Sequence, residues 1–197
     1  MKRFIVLMSV VLSASAFASY TYVITDGMDF GGLTLIGTQS LLMTGGGGAL
    51  LDVSEHSFAV IQGTAPYNQT VYPSGGIEQL NVRGYGHLDF SGGEVHEIDV
   101  GSYATAILSG GKINRLATAQ SVGGQVDPYV TMVCTTHTWY SSTNLLTGTW
   151  LDETAFSIQL VDVSGYSHTI DDIQFIPEPA SLLLLATGGL LLRHKRS

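Results

Sequence analysis

Two stretches decide the fold: Ser91-Gly92-Gly93-Glu94-Val95-His96-Glu97-Ile98-Asp99-Val100 and, at an offset of 18, Ser109-Gly110-Gly111-Lys112-Ile113-Asn114-Arg115-Leu116-Ala117-Thr118. Val95 answers Ile113 and Ile98 answers Leu116. Working outward, a third Ser-Gly-Gly begins at Ser74. That tag is one place out of step with Ser91, but Ile77 and Leu80 keep the 18-residue columns. Downstream, Leu88, Ala106 and Gly124 form another column, and Phe90, Leu108 and Val126 a fourth. Upstream, Leu33 and Leu51, Leu35 and Val53, Leu41 and Ala59, and Met43 and Ile61 are again 18 apart. From Leu51 to Leu80 the interval is 29, one period plus an 11-residue insertion, which the loop Gly63–Pro73 supplies.

Within each block the apolar residues alternate, as in Leu80-Asn81-Val82 and Ile98-Asp99-Val100, which is the period of a β-strand. Short strands repeated at fixed length cannot each bury a face alone, but stacked about 4.8 Å apart they can. The pattern predicts an all-β chain, a right-handed parallel β-solenoid of about five 18-residue coils from Leu33 to about Asp127. Gly-Gly pairs suit its turns, where positive φ is needed. The charges agree with the register. Glu94 falls over Lys112 and Glu97 over Arg115, and opposite charges on adjacent strands attract. His56 lines up with Tyr85 and Tyr103 as a stacked aromatic column, and His96 with Asn114. The alternative is an antiparallel sandwich of hairpins.

After Pro128 the period is lost. Tyr129–Tyr140 alternates as a capping strand and Ile170–Ile176 reads as a last strand. Gly148, Asp152-Glu153 and Gly165 read as turns. A small antiparallel β cap over residues 129–176 is expected, since an exposed last coil invites edge-to-edge aggregation.

The ends are of another kind. Lys2 and Arg3 precede the apolar run Phe4–Leu12, followed by Ala16-Phe17-Ala18, the small-x-small pattern of a cleaved secretory signal. Residues 1–18 are expected as a signal helix, with cleavage after Ala18. At the other end Pro177-Glu178-Pro179 stops the chain's last strand. Ala180–Leu192 is a 13-residue apolar stretch, short of the roughly 20 that span a bilayer. Arg193, Lys195 and Arg196 form a basic stop that favours the cytoplasmic side. The tail holds the chain at a membrane only transiently. Pro-Glu-Pro, a short apolar helix and a terminal basic cluster together resemble the PEP-CTERM sorting signal. The resemblance covers residues 177–197 and implies export through the secretory translocon. It further implies cleavage near Pro177–Pro179 by exosortase and release to the surface or an exopolysaccharide matrix. His194 stands where arginine is commoner.

The segment between the ends carries three basic residues, Arg83, Lys112 and Arg115, against 15 acidic ones, a net charge of −12. Such a surface repels phosphate backbones, so nucleic acid is excluded as a partner. Cys134, the sole cysteine, offers no intrachain disulfide or zinc cluster; a buried thiol is expected, with intermolecular pairing as the alternative.

Catalytic readings are thin. A lyase of β-helix type needs a cation and a basic residue. Lys112 and Arg115 have acidic partners, and only Arg83 is left over. A glycoside hydrolase needs two carboxylates across a cleft. Asp52 and Asp99 share a column with Asn81 between them, but acids are abundant here. Gly45-Gly46-Gly47-Gly48 lacks both the Asp and the nine-residue repeat of calcium β-rolls. Calcium at Asp26/Asp29, Asp152/Glu153 or Asp171/Asp172 has no specific motif. His87, His137 and His168 lack a partner at metal spacing, and no Ser-His-Asp arrangement is visible. Tyr85 and Tyr103, with Tyr67 and Tyr72 near them, are the candidates for contact with a glycan. The chain is expected to have no catalytic residues, no metal ligands and no cofactor. It reads as an exported structural protein of the cell surface or matrix, with a carbohydrate-binding module or adhesin as the alternative and a polysaccharide lyase or hydrolase behind both.

Overall fold

The computed structural model describes residues 19–66, 76–101, 103–119 and 129–176. Residues 1–18 with Ala16 and Ala18, the loop with Tyr67 and Tyr72, Gly124 and Val126, and the tail with Pro177, Glu178, Pro179, Arg193, Lys195 and Arg196 lie outside them.

The described chain is all-β and largely parallel. It swings back and forth between two ladders. One holds β1 (Tyr22–Ile24), β3 (Ser40–Met43), β5 (Phe58–Ile61), β7 (His87–Phe90) and β9 (Thr105–Leu108). The other holds β2 (Gly32–Leu35), β4 (Gly47–Val53), β6 (Gly76–Val82), β8 (Glu94–Gly101) and β10 (Lys112–Ala119). Every pairing within these ladders is parallel, as in a β-solenoid. The register is the one expected from the 18-residue period: Val95 pairs with Ile113, Ile98 with Leu116 and Leu41 with Ala59. Leu51 pairs with Leu80 across the insertion.

The core lies between the ladders. Leu51, Leu80, Ile98 and Leu116 run up one side, Leu41, Leu88, Phe90 and Leu108 up the other, all fully buried. Each such side chain contributes about 1.5–3 kcal/mol by leaving water. In β8 the inward residues are Val95, Ile98 and Val100. The three-residue step from 95 to 98 leaves His96 and Glu97 both outside, so the strand turns a corner there.

The Ser-Gly-Gly turns need glycine for two different reasons. Gly93 and Gly111 have φ of 93° and 77°, a region that costs other residues energy. Gly92 and Gly110 are held by the coil below. A Cβ on Gly110 would lie 2.4 Å from the Ser91 carbonyl oxygen, and one on Gly92 2.2 Å from that of Gln62. At the first coil, a Cβ on Gly48 would lie 2.3 Å from the ring of Phe30. Phe30 packs against the core and fills the space below Gly48.

Three expectations are corrected beyond β10. First, Gly124 and Val126 are not the next rung. β11 (Tyr129–Tyr140) pairs with β9 through Val130 opposite Ala106 and Met132 opposite Leu108, so the step from the rung below is six longer than the period. Val130 and Met132 fill core positions; a glycine above Ala106 would have left one empty. Second, the cap is only partly antiparallel. β12 (Leu145–Trp150) pairs antiparallel with β11 and with β13 (Ala155–Val161). β13 also lies parallel on β10, and β14 (Ile173–Ile176) parallel on the start of β11. Both ladders thus gain a further parallel rung, while the antiparallel hairpins cross between them. Residues 170–172, read as part of the last strand, belong with Thr169 to a turn of 3-10 helix. Third, Gly148 sits inside β12 instead of at a turn, because a Cβ there would lie 2.1 Å from the Thr136 carbonyl oxygen and 2.4 Å from the Phe156 ring.

Candidate functional site

The outer columns carry the chemistry. At the turn between the ladders, His56 stacks on Tyr85 at 5.0 Å between ring centroids and Tyr85 on Tyr103 at 5.1 Å, with interplanar angles of 10° and 23°. The expected aromatic column is therefore present. Its geometry limits what it can bind. A sugar ring packs on an open aromatic face, and both faces of Tyr85 are occupied. Tyr85 is 57% exposed, and what it presents is its edge and hydroxyl. Tyr103 holds φ of 60°, a conformation uncommon for a bulky residue, and keeps its ring in the stack.

On the outer face of the β8 ladder, Asp52 pairs with Asn81 and Asn81 with Asp99, one rung each. Asn81 is buried and accepts a hydrogen bond from Gln79 Nε2 at 3.2 Å. It spaces the two carboxylates by two rungs, about 9.6 Å. One Asp52 oxygen is buried without a hydrogen-bond partner. Burial pushes the Asp99 carboxyl above its ordinary pKa of 3.8; Arg83 pulls it back and Glu97 adds to the rise. The charge of Arg83 thus reaches Asp99. The neighbouring charges form the expected pairs, Lys112 with Glu94 at 2.5 Å and Arg115 with Glu97 at 3.0 Å.

Sequence reading missed a third group. On the outer face of the β7 ladder, His87 Nδ1 lies 2.6 Å from Thr105 Oγ1, and His87 Nε2 lies 3.3 Å from Asp89 Oδ1. The residues alternate along β7 and meet β9 one rung up, so the 18-residue period from His87 to Thr105 is the signal that finds them. Thr-His-Asp order resembles a hydrolytic relay, but the surroundings differ. The imidazole is stacked on Phe58 at 5.1 Å. The amides of His87 and Thr105 donate to Ser57 and Gly86 within the coil stack, so neither is free to stabilise an oxyanion.

The cap is held by polar groups that run from the buried Thr169 to the exposed Asp162 and His168. Asp162 accepts from Thr169 N–H at 2.8 Å and Asn144 Nδ2 at 2.9 Å, and His168 Nδ1 lies 3.0 Å away. Burial works to raise the Asp162 pKa, but the hydrogen bonds from His168, Thr169 and Asn144 and the charge of His168 outweigh it and hold the carboxyl below 3.8. The hydrogen bond to Asp162 and its charge raise His168 above 6.5. Thr118 Oγ1 donates to Asp172 at 2.5 Å and ties β10 to the 3-10 turn. Cys134 is 3% exposed, and burial raises its thiol pKa.

One concavity of about 270 Å³ lies between Lys112–Asn114 of β10 and Ala155–Ser157 of β13. β13 meets β10 only from Arg115 to Ala117, so the two strands splay ahead of that point. Asp26/Asp29, Asp152/Glu153 and Asp171/Asp172 stay separate pairs; among the described residues no group of three or more His, Cys, Asp or Glu side chains is placed to hold a metal ion. Among the same residues no helix is long and apolar enough to cross a membrane.

No protein-family model, curated protein or solved structure matches the chain.

Proposed function

We propose that this chain is an exported structural protein of the cell surface or extracellular matrix, without catalytic activity. On this reading the signal segment 1–18 directs secretion. The tail from Pro177 then holds the chain at the membrane until exosortase cleaves near Pro177–Pro179. The body is a right-handed β-solenoid of about five coils with an 18-residue period, closed by a β cap. The observation that carries this reading is the pairing of chemically able side chains with each other across rungs. Glu94 with Lys112, Glu97 with Arg115, His87 with Thr105, and His56 with Tyr85 and Tyr103 each bind one coil to the next. Groups committed in this way stabilise a stack and are not free for substrate. The acidic, glycine-rich body suits a spacer or filler between polymer chains of a hydrated matrix.

A carbohydrate-binding module is the second reading, and the 57% exposure of Tyr85 favours it. Contact there would run through phenol hydroxyls and ring edges. The test is a glycan array and a turnover assay on secreted protein, with and without calcium. The structural reading requires no saturable binding and no cleavage. Binding to one polysaccharide class, lost in Tyr85→Ala and Tyr103→Ala, supports the module. Turnover lost in Asp99→Asn or Arg83→Ala supports an enzyme.

A further inference from the structure

Thr135 to Tyr140, the second half of β11, are all exposed although they belong to a paired strand. Among the described residues only one edge of this half is covered, by β12. Its side chains make only local contacts, Thr135 and Thr136 to Thr149 and Trp139 Nε1 to Asn144 Oδ1 at 3.2 Å, and leave Trp139 at 41% and Tyr140 at 51% exposure. Trp139 and Tyr140 follow each other on the strand and so point to opposite faces, and two such large exposed aromatics ask for a use. The position of this strand relative to the end of the described chain indicates the use.

β14 runs parallel to the start of β11, and its last residue, Ile176, pairs with Val133. The chain therefore leaves β14 beside Val133, just ahead of the register shift between Cys134 and Thr136 after which β11 continues to Trp139 and Tyr140. The two strands touch beyond the register as well: the His137 ring stacks on Phe175 at 3.7 Å and 5°. Trp139 is two residues past His137, so it lies on the same face about 7 Å farther on. Ile176 itself is 38% exposed.

The apolar run of the tail begins at Ala180, four residues after Ile176. Four residues span at most about 14 Å however they are arranged. With that run in a bilayer, Ile176 is held within that distance of the hydrocarbon, and the bare strand beside it comes to the headgroup layer. Trp and Tyr are the side chains that favour this layer, with an apolar ring and a polar edge. The body carries −12, which disfavours an anionic surface and leaves a zwitterionic one.

We propose that the second half of β11, through Trp139 and Tyr140, is a lipid-contact surface that lies against the bilayer while the tail is inserted. The inference rests on the proposed membrane role of the tail. It adds a defined orientation: the capped end faces the lipid and the first coil points away.

The test uses the signal-cleaved chain, Ser19 to Ser197, mixed with phosphatidylcholine vesicles containing lipid brominated near the headgroup end of the acyl chains. Flotation with the vesicles reads the tail, and tryptophan quenching reads the strand. Trp150 is fully buried and supplies an unquenched internal reference. The expected result is flotation with loss of most of the Trp139 emission, a loss that disappears in Trp139→Phe while flotation persists. Flotation with Trp139 unquenched overturns the lipid-contact surface and leaves the tail's role intact. No flotation overturns both.

Discussion

The indole Nε1–H of Trp150 donates to the carbonyl oxygen of Gly111 at 3.0 Å. One coil lower, the equivalent carbonyl of Gly93 accepts the backbone amide of Lys112 at 2.8 Å. Among the described residues no strand amide takes this place above Gly111, and a side chain from the cap supplies the donor. The cap thus satisfies the last coil's backbone as well as covering its apolar face. Trp150→Phe keeps most of the apolar contact and removes the donor. It is expected to destabilise the fold by about 2–3 kcal/mol, the sum of an unsatisfied buried carbonyl and lost volume. Denaturant titration followed by far-UV circular dichroism measures it. A change no larger than an ordinary surface substitution gives, about 0.5 kcal/mol, speaks against this role.

The first glycine of each Ser-Gly-Gly turn is fixed by the coil beneath it. Gly110→Ala is expected to cost about 1–3 kcal/mol through overpacking against the Ser91 carbonyl, while Ser109→Ala stays within about 0.5 kcal/mol. Equal effects of the two in thermal unfolding would show that the coils are spaced more loosely than described.

Glu97 and Arg115 pair between adjacent strands at 3.0 Å, with side chains 26% and 41% exposed. A double-mutant cycle with Glu97→Gln and Arg115→Gln is expected to give a coupling of roughly 0.2–1 kcal/mol that shrinks in high salt. A coupling indistinguishable from zero at low salt would remove the pair from the account of register.

Asp99 is held above its ordinary pKa by burial. A group with a raised folded pKa favours the folded state below its ordinary value of 3.8, and that contribution is lost as pH rises through the folded value. Asp99→Asn is therefore expected to raise the melting temperature by a few degrees at pH 7 and to have little effect in acid, below the ordinary carboxylate range. Melting curves across that range check the sign. Greater stabilisation at the acidic end would mean that Arg83 outweighs burial.

The Asp162–His168 pair has the opposite dependence at its two ends. Asp162 contributes stability above pH 3.8 that is lost as pH falls through its lowered value. His168 contributes below pH 6.5 and loses that as pH rises through its raised value. His168→Ala is expected to remove the alkaline loss in the cap. Amide protection at Thr169, corrected for the intrinsic exchange rate, then no longer falls above neutral pH. Protection that falls equally in both proteins would detach His168 from the stability of the cap.

Much of the stack is legible in the sequence because its signal is local and repeated. Columns such as Ile77, Val95 and Ile113 and the charge steps from Glu94 to Lys112 need only one fixed spacing. The same spacing fails at Gly124 and Val126, since nothing periodic marks an insertion of six residues when the following rung, Val130 and Met132, alternates like any strand. Gly148 reads as a turn in the sequence because its cause, the Thr136 carbonyl and the Phe156 ring on the strands either side, lies elsewhere along the chain. The Thr105–His87–Asp89 group is hidden from a search for catalytic order along the chain, because its order runs across rungs. The occupied faces of Tyr85 follow from the same alignment that reveals the column, once ring stacking along the axis is considered.

The measurement that tests the central claim most directly is the intact mass of the protein recovered from outside exosortase-bearing cells that produce the full chain. The account predicts a species that begins at Ser19 and ends within Pro177–Pro179. A product that retains the residues through Ser197, or a chain kept inside the cell with Met1 in place, would contradict it.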